Sequence, residues 1–162
     1  MRKNQDVRGF TLIELLVVIA IIGLLASVVL ASLNTARSRG NDASIKSNMA
    51  TIQVEAELYA DGQTPRAYST SGAEAGTTAA SCNEGMFLAV NSPSIAAAVS
   101  AIDAANGSAT ISLRCNIIAT MDAYMFASAM PAGGTTWWCV DSTGMKKVLP
   151  AGDPGNAVTA CP

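Results

Sequence analysis

The sequence predicts an α+β chain in which one long N-terminal helix packs on a small antiparallel β-sheet head. Three observations lead there. A polar, basic start gives way to an unbroken apolar run, Leu15 to Ala31, relieved only by Gly23 and Ser27. No proline interrupts the chain before Pro65, and Asp61-Gly62 just ahead of it forms a helix stop. The C-terminal half alternates short β-type runs with Gly/Pro turns and holds all four cysteines.

Residues 1–9 read as a short leader. Arg2, Lys3 and Arg8 outweigh Asp6, and by the positive-inside rule this end stays in the cytoplasm. From Phe10 to Ala36 the sole charge is Glu14. The segment 10–33 is long enough to cross about 30 Å of hydrocarbon as a helix. A secretory signal peptide cut at Val29-Leu30-Ala31, giving a start at Ser32, is the competing reading. The apolar stretch exceeds the usual signal core, and a carboxylate five residues into it would impede simple insertion. A plain transmembrane anchor is the other alternative.

The helix is expected from about Phe10 to Ala60. Residues 34–60 form its amphipathic half: Ile45, Met49, Ile52, Ala56 and Tyr59 fall on one face, and Lys46, Ser47, Glu55 and Glu57 lie opposite. Gly23 and Gly40 each weaken the helix by about 1 kcal/mol relative to alanine.

The head is expected over residues 61–162. Its first stretch, to about Ser81, is rich in Gly, Ser, Thr and Ala, and that composition predicts a surface loop between helix and sheet. Ser92-Pro93 opens a short helix to about Ala105, which Asn106-Gly107 ends, with Ile95, Val99 and Ile102 on its apolar face. Strands follow at Thr110 to Ile118, with Ile111, Leu113, Cys115 and Ile117 on one side, then at Tyr124 to Met130, Thr135 to Asp141 and Met145 to Leu149, as a meander.

The chain has 162 residues and a net charge of −2. Without the leader the charge is about −4, which suggests no nucleic-acid surface. Mean hydropathy is +0.33, too apolar for an ordinary soluble domain. There is no histidine, so the commonest general base and metal ligand are missing, and we expect no enzyme, no cofactor and no metal.

Cys82, Cys115, Cys139 and Cys161 show neither Cys-x-x-Cys nor zinc spacing, so they read as disulfides of an oxidising, extracytoplasmic compartment. In a plain meander Cys115 and Cys139 lie on strands separated by a third, roughly 9 to 10 Å apart and beyond disulfide reach. The expected pairs are Cys82 with Cys115 and Cys139 with Cys161, the second tying the Gly/Pro-rich tail to the last strands.

Gly9-Phe10-Thr11-Leu12-Ile13-Glu14-Leu15-Leu16-Val17-Val18-Ile19-Ala20-Ile21-Ile22-Gly23 resembles the type IV pilin and pseudopilin signature almost residue for residue. The resemblance is tight over about the first 30 residues and extends to the rest only in layout. It implies a pilin fold, cleavage between Gly9 and Phe10 by a prepilin peptidase, N-methylation of Phe10 by the same enzyme, and assembly through Phe10 and Glu14 of adjacent copies. It also implies an assembly platform with its ATPase, a single-pass precursor in the inner membrane with its head outside the cytoplasm, and a final place in a cell-surface pilus. Trp137-Trp138-Cys139-Val140-Asp141-Ser142-Thr143-Gly144 more loosely resembles the C-terminal strand and turn of some bacterial pilins. In this family part of the N-terminal helix often melts on assembly, but the proline associated with melting is absent.

The function expected is therefore that of a structural pilus subunit. The alternative is a pseudopilin of a type II secretion or DNA-uptake machine. Some pseudopilins hold calcium, and Asp141 and Asp153 are the acids that could do so, at loose spacing. Two further alternatives are a tip adhesin or minor pilin displaying one of the paired rings Trp137 and Trp138, and a membrane-anchored enzyme.

Overall fold

The computed structural model describes residues 9–76, 81–107, 112–149, 152–155 and 160–162. The elements are α1 (Leu12–Asp61), β1 (Glu74–Gly76), a 3₁₀ turn (Gly85–Phe87), α2 (Pro93–Ala105), β2 (Leu113–Ile117), β3 (Tyr124–Ala129), β4 (Trp137–Asp141) and β5 (Lys146–Leu149). The strands form one antiparallel sheet in the order β1-β2-β3-β4-β5. By internal packing the chain divides into two units, Met1–Arg37 and Ser38–Pro162.

Among the described residues the first unit has no core of its own. Every described residue from Gly9 to Arg37 is exposed, including Leu12 at 84% and Leu24 at 67%. This stretch belongs to the one described helix long and apolar enough to cross a membrane.

In the second unit the remainder of α1 buries Ile45, Met49, Ile52, Ala56 and Ala60. These follow one another at spacings of four and three, which line up on one helical face. Ala60 completes the seam, whereas Tyr59, which the periodicity had placed there, is only half-buried. Gln53 is buried beside the seam and donates its Nε2 to the Asp141 carbonyl at 3.3 Å. Asn41 donates to the Ala105 carbonyl at 2.9 Å, which ties α1 to the end of α2. Pro93 sits in the first turn of α2, and Gly107 at φ 78° follows its end.

The sheet is covered on both faces. Leu113, Cys115, Ile117, Tyr124, Phe126 and Val140 join the buried residues of α1 and α2 in the main core. The alternate positions Met125, Ala127, Trp137, Cys139 and Leu149 form a second cluster with Cys161 packed against it. The period of two along a strand sorts the side chains in this way. All five residues of β2 are therefore buried, Arg114 and Asn116 among them. Leu113, Cys115 and Ile117 share one side as the alternation predicted, but the other side of β2 is covered too, and Ile111 lies outside the described residues. β4 begins at Trp137, because Thr135 and Thr136 are used in the turn that Gly133 and Thr136 close by backbone hydrogen bonds.

The segment after α1 corrects an expectation. Composition predicted a surface loop, yet Tyr68 and Ser69 are buried and Glu74–Gly76 adds a strand to the sheet. Backbone hydrogen bonds carry the segment inward, where small side chains bury little apolar area. Tyr68 N–H donates to Met121 at 2.8 Å, and the Tyr68 carbonyl accepts from Met86 at 2.9 Å. The Tyr68 ring stands edge-on to Tyr124 with centroids 4.7 Å apart. Gly76 fits because it lacks a Cβ: one placed there would meet Cys115 Sγ and lie 2.8 Å from the Ser81 carbonyl. Thr77 to Ala80 lie outside the described residues.

Candidate processing and assembly site

Gly9, Phe10 and Thr11 precede the helix and are exposed, Phe10 at 88%. Thr11 is the N-cap and Glu14 the third helical residue, and they bond reciprocally. Thr11 Oγ1 accepts the Glu14 N–H at 3.2 Å, while Glu14 Oε2 accepts the Thr11 N–H at 2.9 Å and the Thr11 hydroxyl at 2.8 Å. This is a capping box: two amide protons that the first turn cannot satisfy internally find side-chain acceptors. The Thr-x-x-Glu spacing was legible as such a box, but the sequence reading assigned Thr11 no role.

The box lets a carboxylate stand at the head of an apolar helix with donors already on it. Burying an unpartnered carboxylate in hydrocarbon costs far more than burying one that accepts hydrogen bonds. Gly9, Phe10 and Glu14 thus lie within six residues, at the point where extended chain becomes helix.

The cysteines lie in the second unit. Cys82 is joined to Cys115, with Cα atoms 5.9 Å apart, in the core beneath the helices. Cys139 is joined to Cys161, with Cα atoms 5.8 Å apart, on the opposite face of the sheet. There the tail is held by two carboxylates. Asp153 pairs with the guanidinium of buried Arg114, which also lies over the Trp137 ring at 5.9 Å. Asp141 accepts from the Thr143 N–H and hydroxyl and from the N–H groups of Met145 and Cys161.

Burial works against ionisation of Asp141, but the Thr143 hydroxyl and the amides of Cys161, Thr143 and Met145 outweigh it and hold the carboxyl below its usual range. Burial opposes ionisation of Asp153 too, and there the Arg114 hydrogen bonds, the Gly155 amide and the Arg114 charge prevail, again lowering the pKa.

Asp141 and Asp153 are therefore engaged by different partners. Among the described residues no group of three or more His, Cys, Asp or Glu side chains is close enough to share a metal ion. Both tryptophans are covered as well: Trp137 is buried on the tail side, and Trp138 packs against the main core with Lys46 Nζ 4.8 Å above its ring. Nothing local in the sequence announced Arg114–Asp153 or the four-donor role of Asp141, since their partners come from 39 and up to 20 residues away.

The comparisons with known proteins agree with this picture. The family model described as the prokaryotic N-terminal methylation motif matches residues 4–30. The chain is 44% identical over 55 residues to the type IV wide pilus major component PilA4 of Thermus thermophilus, a stretch covering 34% of this chain and 42% of that protein. The chain thus spans under half the length of that curated relative. No solved structure matches. The chain thus carries the N-terminal methylation motif and, over about a third of its length, is similar to a type IV pilus component, with a long apolar helix followed by a five-stranded antiparallel sheet.

Proposed function

We propose that the protein is the precursor of a type IV pilus subunit. A prepilin peptidase removes residues 1–9 by cutting between Gly9 and Phe10 and methylates the Phe10 amine. The mature chain rests in the inner membrane through its apolar helix, is drawn out by an assembly platform and its ATPase, and polymerises with further copies of itself. Its role is then structural, with no chemistry of its own.

One observation carries this reading. From Leu12 to Leu33 the helix exposes an apolar surface that no described part of its own unit covers, interrupted by a single carboxylate inside the motif. Lipid can cover that surface, and so can the same segment of neighbouring copies, and a subunit passing from one to the other needs such a helix. Cleavage frees a Phe10 amine whose pKa is ordinarily near 8, so it is cationic at neutral pH. In a low-dielectric filament core a neighbour's amine and Glu14 attract far more strongly than at a wet surface. The likeness to a wide-pilus component, rather than to a secretion protein, favours a pilus over a secretion or uptake machine.

Glu14→Val tests it. The substitution makes the segment more apolar, so insertion and cleavage are retained while surface filaments fall to a small fraction of wild type, with processed monomer accumulating in the membrane. Normal filament yield from Glu14→Val would remove Glu14 as the assembly contact.

A further inference from the structure

We infer that Thr11 is a positioning residue for leader removal: its hydroxyl fixes where α1 begins and so keeps the Gly9–Phe10 peptide outside the helix, where a peptidase can reach it. The inference rests on the proposed processing of this chain and adds a residue to which that proposal gives no part.

Hydrolysis adds water across the Gly9–Phe10 amide, leaving a carboxylate on Gly9 and an amine on Phe10. A protease must take that amide in extended form, with its N–H and C=O free to pair with the enzyme, and a helix withholds both by turning the chain and using them internally. Cleavage sites therefore concentrate in exposed, non-helical backbone.

Here the helix begins two residues past the bond, at Leu12, although nothing in the apolar character of Phe10 would halt it. The reciprocal hydrogen bonds of Thr11 and Glu14 mark the boundary. An N-cap residue has non-helical backbone torsions, so its hydroxyl acceptor favours a chain that leaves the helix at that residue. The methylation motif matched over residues 4–30 brackets the same boundary, which independently points to an enzyme as the partner of this stretch.

The two halves of the box are not equal. The Thr11 hydroxyl satisfies the amide of Glu14 at the third helical position, and a substitution at position 14 leaves that backbone N–H in place. Glu14→Val thus keeps the N-cap and remains cleavable, whereas loss of the Thr11 hydroxyl removes both its acceptor and its donor. The role assigned to Thr11 is in this way separable from that of Glu14 in assembly.

The test uses the full-length precursor in detergent micelles with a purified prepilin peptidase, comparing wild type with Thr11→Val, which keeps size and branching, and with Thr11→Ser, which restores the hydroxyl. A typical N-cap loss of about 1 kcal/mol corresponds to a roughly fivefold shift in the equilibrium constant between chains that start the helix after Thr11 and chains that do not. If only the form with the Gly9–Phe10 bond outside the helix binds, KM rises by up to that factor while kcat is unchanged. We expect this rise for Thr11→Val and near-normal KM for Thr11→Ser, with the same cut site by mass in all three. An unchanged KM for Thr11→Val, or a Thr11→Ser chain as poor as Thr11→Val, overturns the inference while processing of the wild type stands. A wild-type chain that is not cut between Gly9 and Phe10 overturns the processing proposal and this inference together.

Discussion

Between Leu12 and Leu33 every side chain of α1 is exposed, whereas between Ile45 and Ala60 the same helix closes one face completely, Ile45, Met49, Ile52, Ala56 and Ala60 each being at 0% exposure. The difference lies in pattern as much as in hydrophobicity. The first stretch is apolar on all sides, as a helix must be when its whole circumference meets lipid or other helices. The second is apolar on one stripe, as a helix is when it covers a sheet. The head accordingly carries its own folding information, and the N-terminal half depends on surroundings that a single chain does not provide.

The comparison is sharpest when matched truncations are made in the two halves. Ile52→Ala removes a fully buried side chain from the core and should destabilise the head by about 2 to 5 kcal/mol. Leu25→Ala, in the exposed stretch, should leave head stability within about 0.5 kcal/mol of wild type. Denaturant unfolding of the two variants in detergent, followed by tryptophan fluorescence, checks both. Equal losses would mean that the halves do not fold independently.

Disulfide removal should come next in size. On the chain-entropy estimate, opening a loop of 33 or of 22 residues costs roughly 3 to 4 kcal/mol. Replacing Cys82 and Cys115 by alanine also leaves a gap in the main core, while replacing Cys139 and Cys161 frees a tail that Asp153 and Asp141 still hold. The first pair should therefore lower the melting temperature more than the second, by differential scanning calorimetry.

Acid should act on the tail before the core. The pKa values of Asp141 and Asp153 are lowered in the folded head, so their contribution is complete above the unfolded carboxyl pKa of about 4 and is lost as pH falls through the folded values. Stability should decline below about pH 4. Asp141→Asn should be less stable than wild type at pH 7 and show a shallower acid decline, as pH-dependent unfolding would report. The smallest effect expected is from Lys46→Ala, which removes the cation over Trp138 and should cost about 0.5 to 1 kcal/mol with a change in tryptophan emission.

Much of this was legible because the signals are local. Apolar runs, helix stops at Asp61-Gly62 and Asn106-Gly107 and the turns between strands all act within a few residues, and they delivered α1, α2 and the meander of β2 to β5. What escaped depended on partners distant in sequence. β1 is three residues that pair only because β2 offers an edge, and Tyr68 is drawn inward by Met121 and Met86. Arg114 is buried where Asp153 of the tail meets it, a partner 39 residues away. The N-terminal site lies at the other extreme: Gly9, Phe10 and Glu14 were recognisable from a contiguous motif, and Thr11 was overlooked inside it although its spacing from Glu14 was in plain view.

The central claim, that the exposed helix belongs to a processed filament subunit, is tested most directly by the intact mass of the protein recovered from sheared surface filaments. The account predicts a chain lacking residues 1–9 and carrying one added methyl group on Phe10. A chain that retains its first nine residues, or one that begins at Ser32, would contradict it.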